Sequence, residues 1–368
     1  MQRWIDPERR LGDGGVCRLR VRCAKDAQDV PMARLSARGR SGRAERRRER
    51  GTIAMPPPSV TLDCRLLCAC GCAYYIDPIT GRYAPPPSGS DRYSPVVGYL
   101  DPPQPFAGGP DKIDACLVGG NPDGIIVACR GTLPLSLHST ASMIDWLDDL
   151  TAEPESVAGL PGKVHTGFYD AVHALIGPVV DHVKQLDPAG AKPVYVTGHS
   201  KGGGMASIAA CLLHASPLPI TQVVTFASPK PGDSAFKAGY EEIIPNQIRY
   251  ENYDDVVPLV PPSDAFIRLL ADVPEIGDLF KKAENWDYQP VGTLRYIERS
   301  RRDYRVIGDE PWLMAERMWH LAGEIVEDLR HDDFSSFADA HTLSCGHGYT
   351  SGTCPTSVCL DVTAPPAA

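Results

Sequence analysis

The residue best suited to nucleophilic chemistry is Ser200, in the segment Gly198-His199-Ser200-Lys201-Gly202. A G-x-S-x-G pattern is short and carries little weight without its surroundings. Here a β-rich apolar run precedes it and a run that favours a helix follows it. Glycines two positions either side of the serine let a strand and a helix approach closely around a strained turn. The context therefore predicts a nucleophile elbow at Ser200, with the helix N-terminus beside the place where an oxyanion would develop.

A candidate acid follows the serine, as this architecture requires. A serine hydroxyl is a weak nucleophile at its free pKa, so it needs a histidine base that a carboxylate orients. Asp255 lies just beyond a predicted strand at 247–252, at the sheet edge where catalytic groups gather. Asp254 is its rival, because residue order alone does not separate the two.

The candidate base is one of four histidines that follow Asp255 in the chain, namely His320, His331, His341 and His347. His320 falls within the apolar pattern of a predicted helix and is expected to be a helix residue. His331 follows that helix beside two aspartates, which suits a C-terminal capping role. Residue order leaves both His341 and His347 as candidates for the base.

The elements that must position these residues follow from the spacing of apolar side chains. A buried helix is expected at 66–76 and an irregular, Pro- and Gly-rich connection at 77–111. Strands and helices then alternate, which predicts an α/β fold with a mostly parallel sheet covered by helices on both faces. The predicted strands are 114–118, 125–129, 194–197, 221–227, 247–252, 293–297 and 304–307, and the predicted helices are 167–186, 201–214 and 311–329.

The chain resembles the class 3 (fungal-type) triacylglycerol lipases, which have the α/β-hydrolase fold. The resemblance spans roughly residues 113–341 and rests on ordered segments: IIVACRGT, DWLDDL, KVHTGFYDAV, VTGHSKGG, VTFASPKPGD and NYDDVVPLVPP. The family's Asn-x-x-Asp-x-Val-Pro pattern selects Asp255 over Asp254 as the triad acid. The segment AHTLSC resembles the family's histidine segment and selects His341, with His347 as the alternative. The Arg-Gly-Thr segment implies that the backbone N–H groups of Thr132 and Lys201 form the oxyanion hole.

The function that the resemblance implies is hydrolysis of carboxylic esters such as acylglycerols, through an acyl-enzyme on Ser200. A thioesterase, acyltransferase or phospholipase could use the same triad, and an inactive binding protein of the same fold is a further alternative. No metal and no organic cofactor is implied. The expected partner is a lipid or other ester, at a lipid–water interface if Leu133–Met143 forms the family's lid.

One departure from the family pattern lies next to the nucleophile. Lys201 stands where these lipases usually carry leucine. A lysine pointing into the site would stabilise an oxyanion or favour acidic substrates. Because a backbone N–H needs no particular side chain, we expect instead a solvent-exposed lysine with no effect on the oxyanion hole.

Charge is unevenly divided along the 368 residues, whose net charge is −9. Residues 1–54 hold 15 Lys and Arg against 7 Asp and Glu, which leaves 22 against 39 for residues 55–368. An acidic body argues against nucleic acid as a partner. We therefore predict a disordered basic extension at 1–54, with translation starting at Met55, an N-terminal helix and connection at 55–110, and a single catalytic domain at 111–368.

No apolar run approaches the ~20 residues of a membrane span, and no clear signal peptide is present. These features favour a cytoplasmic location, while the oligomeric state is not predicted.

The twelve cysteines leave several interpretations open. Cys64, Cys68 and Cys72 share one face of the first helix and are expected to be small buried side chains. The tail contains candidate zinc ligands, and a Cys345–Cys354 disulfide or free thiols fit the same spacing. The candidate zinc ligands are His341, Cys345, His347, Cys354 and Cys359.

Overall fold

The apolar strands pair into one central sheet of eight strands in a computed structural model of the chain. The structure describes residues 60–355 except 85–102, 110–112, 122, 133–139, 272, 274–275, 300–303, 309 and 311. The expected extension at 1–54 and the expected start at Met55 lie outside the described residues. Residues 56–368 group into one compact unit.

The elements agree closely with the predicted ones, and all seven predicted strands are present. The described strands are β1 (Gln104–Gly108), β2 (Asp114–Asn121), β3 (Gly124–Cys129), β4 (Pro154–Glu155), β5 (Val164–His165), β6 (Val194–His199), β7 (Ile220–Phe226), β8 (Gly232–Asp233), β9 (Gln247–Asn252), β10 (Tyr288–Gln289), β11 (Thr293–Arg299) and β12 (Tyr304–Ile307). The described helices are α1 (Leu62–Ala73), α2 (Thr140–Asp149), α3 (Thr166–Leu186), α4 (Lys201–Ala215), α5 (Ser234–Ile243), α6 (Asp264–Leu270), α7 (Ile276–Lys281), α8 (Leu313–His331), α9 (Ser335–His341) and α10 (Thr350–Thr353).

The central sheet has the order β1-β2-β3-β6-β7-β9-β11-β12. From β3 to β11 every neighbouring pair is parallel, whereas β1, β2 and β12 pair antiparallel with their neighbours at the two edges. A mostly parallel sheet is therefore confirmed. Four short strands form a second, antiparallel sheet in the order β10-β8-β5-β4.

The central sheet is buried on both faces, because its inner strands contribute to two separate apolar cores. Along β3, Ile125, Val127 and Cys129 belong to one core, whereas Ile126 and Ala128 belong to the other. This alternation is the two-residue period of a strand. Helices α3 and α4 pack in the first core, and α1 packs with the C-terminal segment in the second.

Helix α1 is the buried helix that the sequence predicts, and it is fastened to both the sheet and the tail. Cys64 forms a disulfide with Cys354 across 290 residues of sequence. In the first turn, Asp63 accepts a hydrogen bond of 2.6 Å from the Tyr250 hydroxyl on β9. The prediction that the α1 cysteines are merely small buried side chains is therefore wrong for Cys64.

The tail cysteines are also disulfide-bonded, although the suggested Cys345–Cys354 pair does not form. Cys354 bonds to Cys64, and Cys345 is itself part of a disulfide. Cysteine spacing along the tail could not reveal this pairing, because the partner of Cys354 lies in the N-terminal helix and only the fold brings the two together.

One further expectation, about the connection at 77–111, is corrected by the structure. The stretch 77–111 contains strand β1, which pairs antiparallel with β2 at the edge of the sheet. Pro105 lies in this strand, and an edge position tolerates a proline because one side of the strand needs no ladder hydrogen bonds.

None of the helices in the described part of the chain is long and apolar enough to cross a membrane.

We expect replacement of Cys64 and Cys354 by alanine to lower the free energy of unfolding by about 2–5 kcal/mol, because the disulfide constrains the unfolded chain. Either single replacement removes the bond, so both singles and the double variant should lose similar stability. Urea unfolding without reductant measures the effect. Cys211→Ala is the control, since it removes a buried thiol that forms no disulfide. Wild-type stability in Cys64→Ala would contradict the prediction.

Candidate active site

Ser200 lies in a strained turn between β6 and α4. Its φ is 59° and its ψ is −136°, a backbone conformation that non-glycine residues rarely adopt. A Cβ on Gly198 would overlap the backbone of Gly202, and one on Gly202 would overlap the backbone of Cys129 and Arg130. The two glycines thus permit the close approach of strand, turn and helix that the sequence pattern predicts.

The segment after β3 lies directly against this turn. A Cβ on Gly131 would meet the His199 carbonyl oxygen at 2.5 Å and the Ser200 Cβ at 2.9 Å, so only glycine fits there. The buried Arg130 guanidinium donates to the carbonyl oxygens of Ile76 and Ile113, which fastens the start of the segment. Thr132 follows at once and is half-buried.

Lys201 is the first residue of α4, and its backbone N–H has no carbonyl partner within the helix. The positive end of the helix dipole and this N–H therefore lie next to the serine, where an oxyanion would develop. Lys201 follows Ser200 in the chain, and Thr132 follows Gly131, which packs on Ser200.

The Lys201 side chain forms an ion pair and is not freely exposed, contrary to expectation. Its Nζ lies 2.7 Å from the Asp114 Oδ1 at the start of β2, and the side chain is 24% exposed. Asp114 stands at the same sheet edge as the carboxyl end of β3, because β2 and β3 are antiparallel. The ion pair neutralises the cation and draws it toward β2.

Asp255 is completely buried, and three donors surround its carboxylate. The Val257 N–H donates to Oδ1 at 3.0 Å, the Tyr349 hydroxyl donates to Oδ2 at 2.6 Å, and His341 Nδ1 lies 3.0 Å from Oδ1. Burial by itself raises the pKa of Asp255, but the charge and hydrogen bond of His341, with the two other donors, outweigh it and lower the pKa below its ordinary value. The carboxylate is therefore ionised at neutral pH.

His341 is the last residue of α9 and is the histidine that Asp255 contacts. Its side chain is 13% exposed. The Asn252 side chain, at the end of β9, donates to the Ala340 carbonyl at 2.8 Å and the His347 carbonyl at 2.7 Å. Asn252 therefore fastens the chain on both sides of His341 to the strand that leads to Asp255.

The rival residues lie in other environments. Asp254 accepts a hydrogen bond of 2.8 Å from His320 on α8 and is partly exposed. His331 ends α8 and donates to the Glu327 carbonyl, so its predicted capping role is confirmed. His347 lines a pocket together with Asp254 and Asn252, and Asp255 is not among the lining residues of that pocket.

Two positioning contacts were missed by the sequence analysis. Tyr349 donates to Asp255, and His199, inside the elbow motif, packs its ring 4.8 Å from the His341 ring. No local pattern distinguishes Tyr349 among the tail residues. The presence of His199 beside Ser200 was visible, but its contact with a residue 142 positions away was not.

The expected lid lies mostly outside the described residues, which exclude 133–139. Met143, the last residue of the expected lid segment, lies on α2 and is completely buried in the main core. The prediction that the lid extends to Met143 is therefore wrong, because a side chain packed in the core cannot be part of a mobile lid.

The zinc interpretation of the tail conflicts with the disulfides, because a zinc ligand must be a thiolate and Cys345 and Cys354 are both oxidised. Among the described residues, the one group with metal-ligand spacing is Cys64, Cys68 and Cys354, which includes the disulfide itself.

Part of the chain is similar to known proteins. The model for "Lipase (class 3)" matches residues 127–265. The chain is 29% identical to secreted mono- and diacylglycerol lipase 1 of Fusarium solani, over 36% of this chain and 40% of that protein. It is 30% identical to the chloroplastic phospholipase A(1) DAD1 of Arabidopsis thaliana, over 61% of this chain and 52% of that protein. The chain thus spans about half or less of these relatives' lengths.

A solved structure supports the fold over a larger share of the chain. The crystal structure of a mutant of MDLA from Penicillium cyclopium superposes with a TM-score of 0.52 at 17% identity, covering 76% of this chain and 97% of that one. The strand–turn–helix elbow and the mostly parallel sheet of the present chain are typical of the α/β-hydrolase fold. Residues 127–265 thus match the model of the class 3 lipase family, and the chain has the α/β-hydrolase fold.

Proposed function

We propose that the protein is a serine hydrolase of carboxylic esters. The observation that carries the proposal is the contact of Asp255 with His341, two residues 86 positions apart, together with the contact of His341 with His199, the residue before Ser200 in the strained turn. An ionised, buried carboxylate that holds a histidine at the nucleophile elbow is the arrangement that activates a serine.

The proposed chemistry assigns one task to each group. Ser200 Oγ attacks the ester carbonyl while His341 Nε2 takes its proton, and His341 then gives that proton to the departing alcohol. Asp255 fixes the histidine through Nδ1 and stabilises the imidazolium. The backbone N–H groups of Thr132 and Lys201 bind the oxyanion. Water then attacks the acyl-enzyme by the same route in reverse.

The proposed substrates are acyl esters of glycerolipids. One relative is named a mono- and diacylglycerol lipase and the other a phospholipase A(1), which supports this substrate class. Ser200 is only 2% exposed, so an ester must gain access by displacing part of its surroundings. A lipid–water interface would supply apolar surface for that displacement. A thioesterase or acyltransferase on the same triad and an inactive binding protein are the alternatives.

We propose an oxidising compartment for the protein, in place of the cytoplasmic location that the sequence favoured. Disulfides persist in secreted and periplasmic proteins and are rare in the cytosol of mesophiles. Cys64–Cys354 and the disulfide of Cys345 support this proposal.

Hydrolysis of p-nitrophenyl esters from acetate to palmitate tests the activity. We expect Ser200→Ala and His341→Ala each to lower kcat by at least about 10⁴-fold, because nucleophile and base act as one unit. The chain-length profile separates an esterase from a lipase. A rate that rises when the substrate passes from dissolved to aggregated form indicates action at an interface.

His347→Ala is the matched control for the base, because His347 was the alternative candidate and does not contact Asp255. We expect this variant to keep wild-type activity. Inactive His347→Ala with active His341→Ala would move the base to His347. A well-folded wild type that turns over none of the esters would favour the binding-protein alternative.

Tyr349→Phe tests how the charge on Asp255 is maintained. The phenol donates to a buried carboxylate, so its loss should cost about 1.5–3 kcal/mol of stability at neutral pH. The lowered pKa of Asp255 means that its stabilisation is present above the ordinary pKa of an aspartate and is lost as the pH falls through the folded-state value. The stability difference between wild type and variant should therefore narrow below about pH 4.

Urea unfolding across this pH range measures the difference. Tyr253→Phe is the control, because Tyr253 packs on the His320 ring and not on Asp255. A Tyr349→Phe deficit that is the same at every pH would show that the hydroxyl does not act through the carboxylate charge.

A further inference from the structure

Three distant segments meet at the ring of His199. The Tyr74 hydroxyl, at the end of α1, lies 2.7 Å from His199 Nδ1. His199 Nε2 lies 2.7 Å from the backbone carbonyl oxygen of His341. One imidazole therefore joins the N-terminal helix, the nucleophile elbow and the histidine that contacts Asp255.

The direction of both hydrogen bonds follows from the chemistry of the groups. A carbonyl oxygen can only accept, so Nε2 carries the proton and donates to His341. Burial, together with the nearby His341, lowers the pKa of His199 to about 3, so the ring is neutral at physiological pH. Its Nδ1 is then an acceptor, and the Tyr74 hydroxyl donates to it.

Tyr74 also lies against the segment that would bind the oxyanion. Burial raises the pKa of its phenol, so the hydroxyl keeps its proton. A Cβ on Gly131 would overlap this hydroxyl, which shows that the Gly131 backbone is packed on it. Tyr74 thus lies between the Arg130–Thr132 segment and the elbow.

We propose that Tyr74 and His199 are positioning residues that hold the His341 backbone and the oxyanion segment in register with Ser200. The proposal rests on the proposed ester hydrolysis and goes beyond it. Asp255 contacts the ring of His341, whereas His199 donates to its backbone carbonyl and Asn252 fastens the chain on both sides of it, so these contacts together determine where Nε2 points. Helix α1 is then part of the catalytic machinery and not only a cover for the sheet.

Three variants separate the two contacts. Tyr74→Phe removes only the hydroxyl, and His199→Leu removes both hydrogen bonds while keeping an apolar side chain. His199→Gln keeps an amide donor near the position of Nε2 and should rescue part of the loss. Tyr75→Phe, at the neighbouring tyrosine, is the matched control and should behave as wild type.

We expect kcat per active site to fall by about 10-fold in Tyr74→Phe and up to about 10²-fold in His199→Leu, because a small displacement of the base disrupts the geometry of attack. His199→Gln should lie between His199→Leu and wild type, and KM should change little in all three. Titration of active sites with a fluorophosphonate corrects for misfolded protein. Unchanged kcat per titrated site in Tyr74→Phe and His199→Leu would overturn the proposal.

A second measurement tests the contact whether or not any ester is hydrolysed. Nitrogen-15 NMR of the histidine rings should show a neutral His199 with its proton on Nε2. Tyr74→Phe should shift the ring signals of both His199 and His341, whereas Tyr75→Phe should not. His341 signals that do not respond to Tyr74→Phe or His199→Gln would overturn the positioning role, and an inactive wild type with responsive signals would refute only the proposed hydrolysis.

Discussion

The complete burial of the Asp255 carboxylate is the constraint on which the rest of this structure depends. A charge removed from water is stable only when donors and an opposite charge compensate for the lost hydration. Here the Val257 N–H, the Tyr349 hydroxyl and His341 supply that compensation. Since these groups come from the turn after β9, the tail and α9, keeping Asp255 charged requires all three segments to be in place.

The same requirement explains why the tail is fastened so firmly. Asn252 donates to carbonyls on both sides of His341, and the Cys64–Cys354 disulfide ties the tail to α1. Each of these contacts joins residues that are about 90 or more positions apart. The short helices α9 and α10 have little intrinsic stability, so tertiary contacts must fix their positions.

At the turn of Ser200, the strands of the sheet hold the neighbouring segments in place, and the glycines leave room for their close approach. In the sheet, Cys129 on β3 is paired with Gly198 on the parallel strand β6. The segment after β3 and the elbow after β6 therefore begin side by side, at the carboxyl ends of neighbouring strands. The ion pair of Lys201 with Asp114 neutralises the cation at the start of α4 and leaves its backbone N–H to the site. An unusual side chain at this position is thus accommodated without changing the donor that the oxyanion would need.

The sequence by itself determined seven of the eight strands of the central sheet, the four longest helices among the described residues, the elbow pattern at Ser200 and, through family resemblance, Asp255 and His341 as candidates. The strands, the helices and the elbow can be recognised from short stretches of sequence, because apolar periodicity and the placement of glycines are patterns that extend over a few residues. Only the tertiary structure decided that Cys354 bonds to Cys64, that Lys201 pairs with Asp114, and that Tyr74, His199 and Tyr349 surround the site. Such contacts join residues far apart in the chain, and their geometry depends on how the helices pack on the sheet, which no local pattern records.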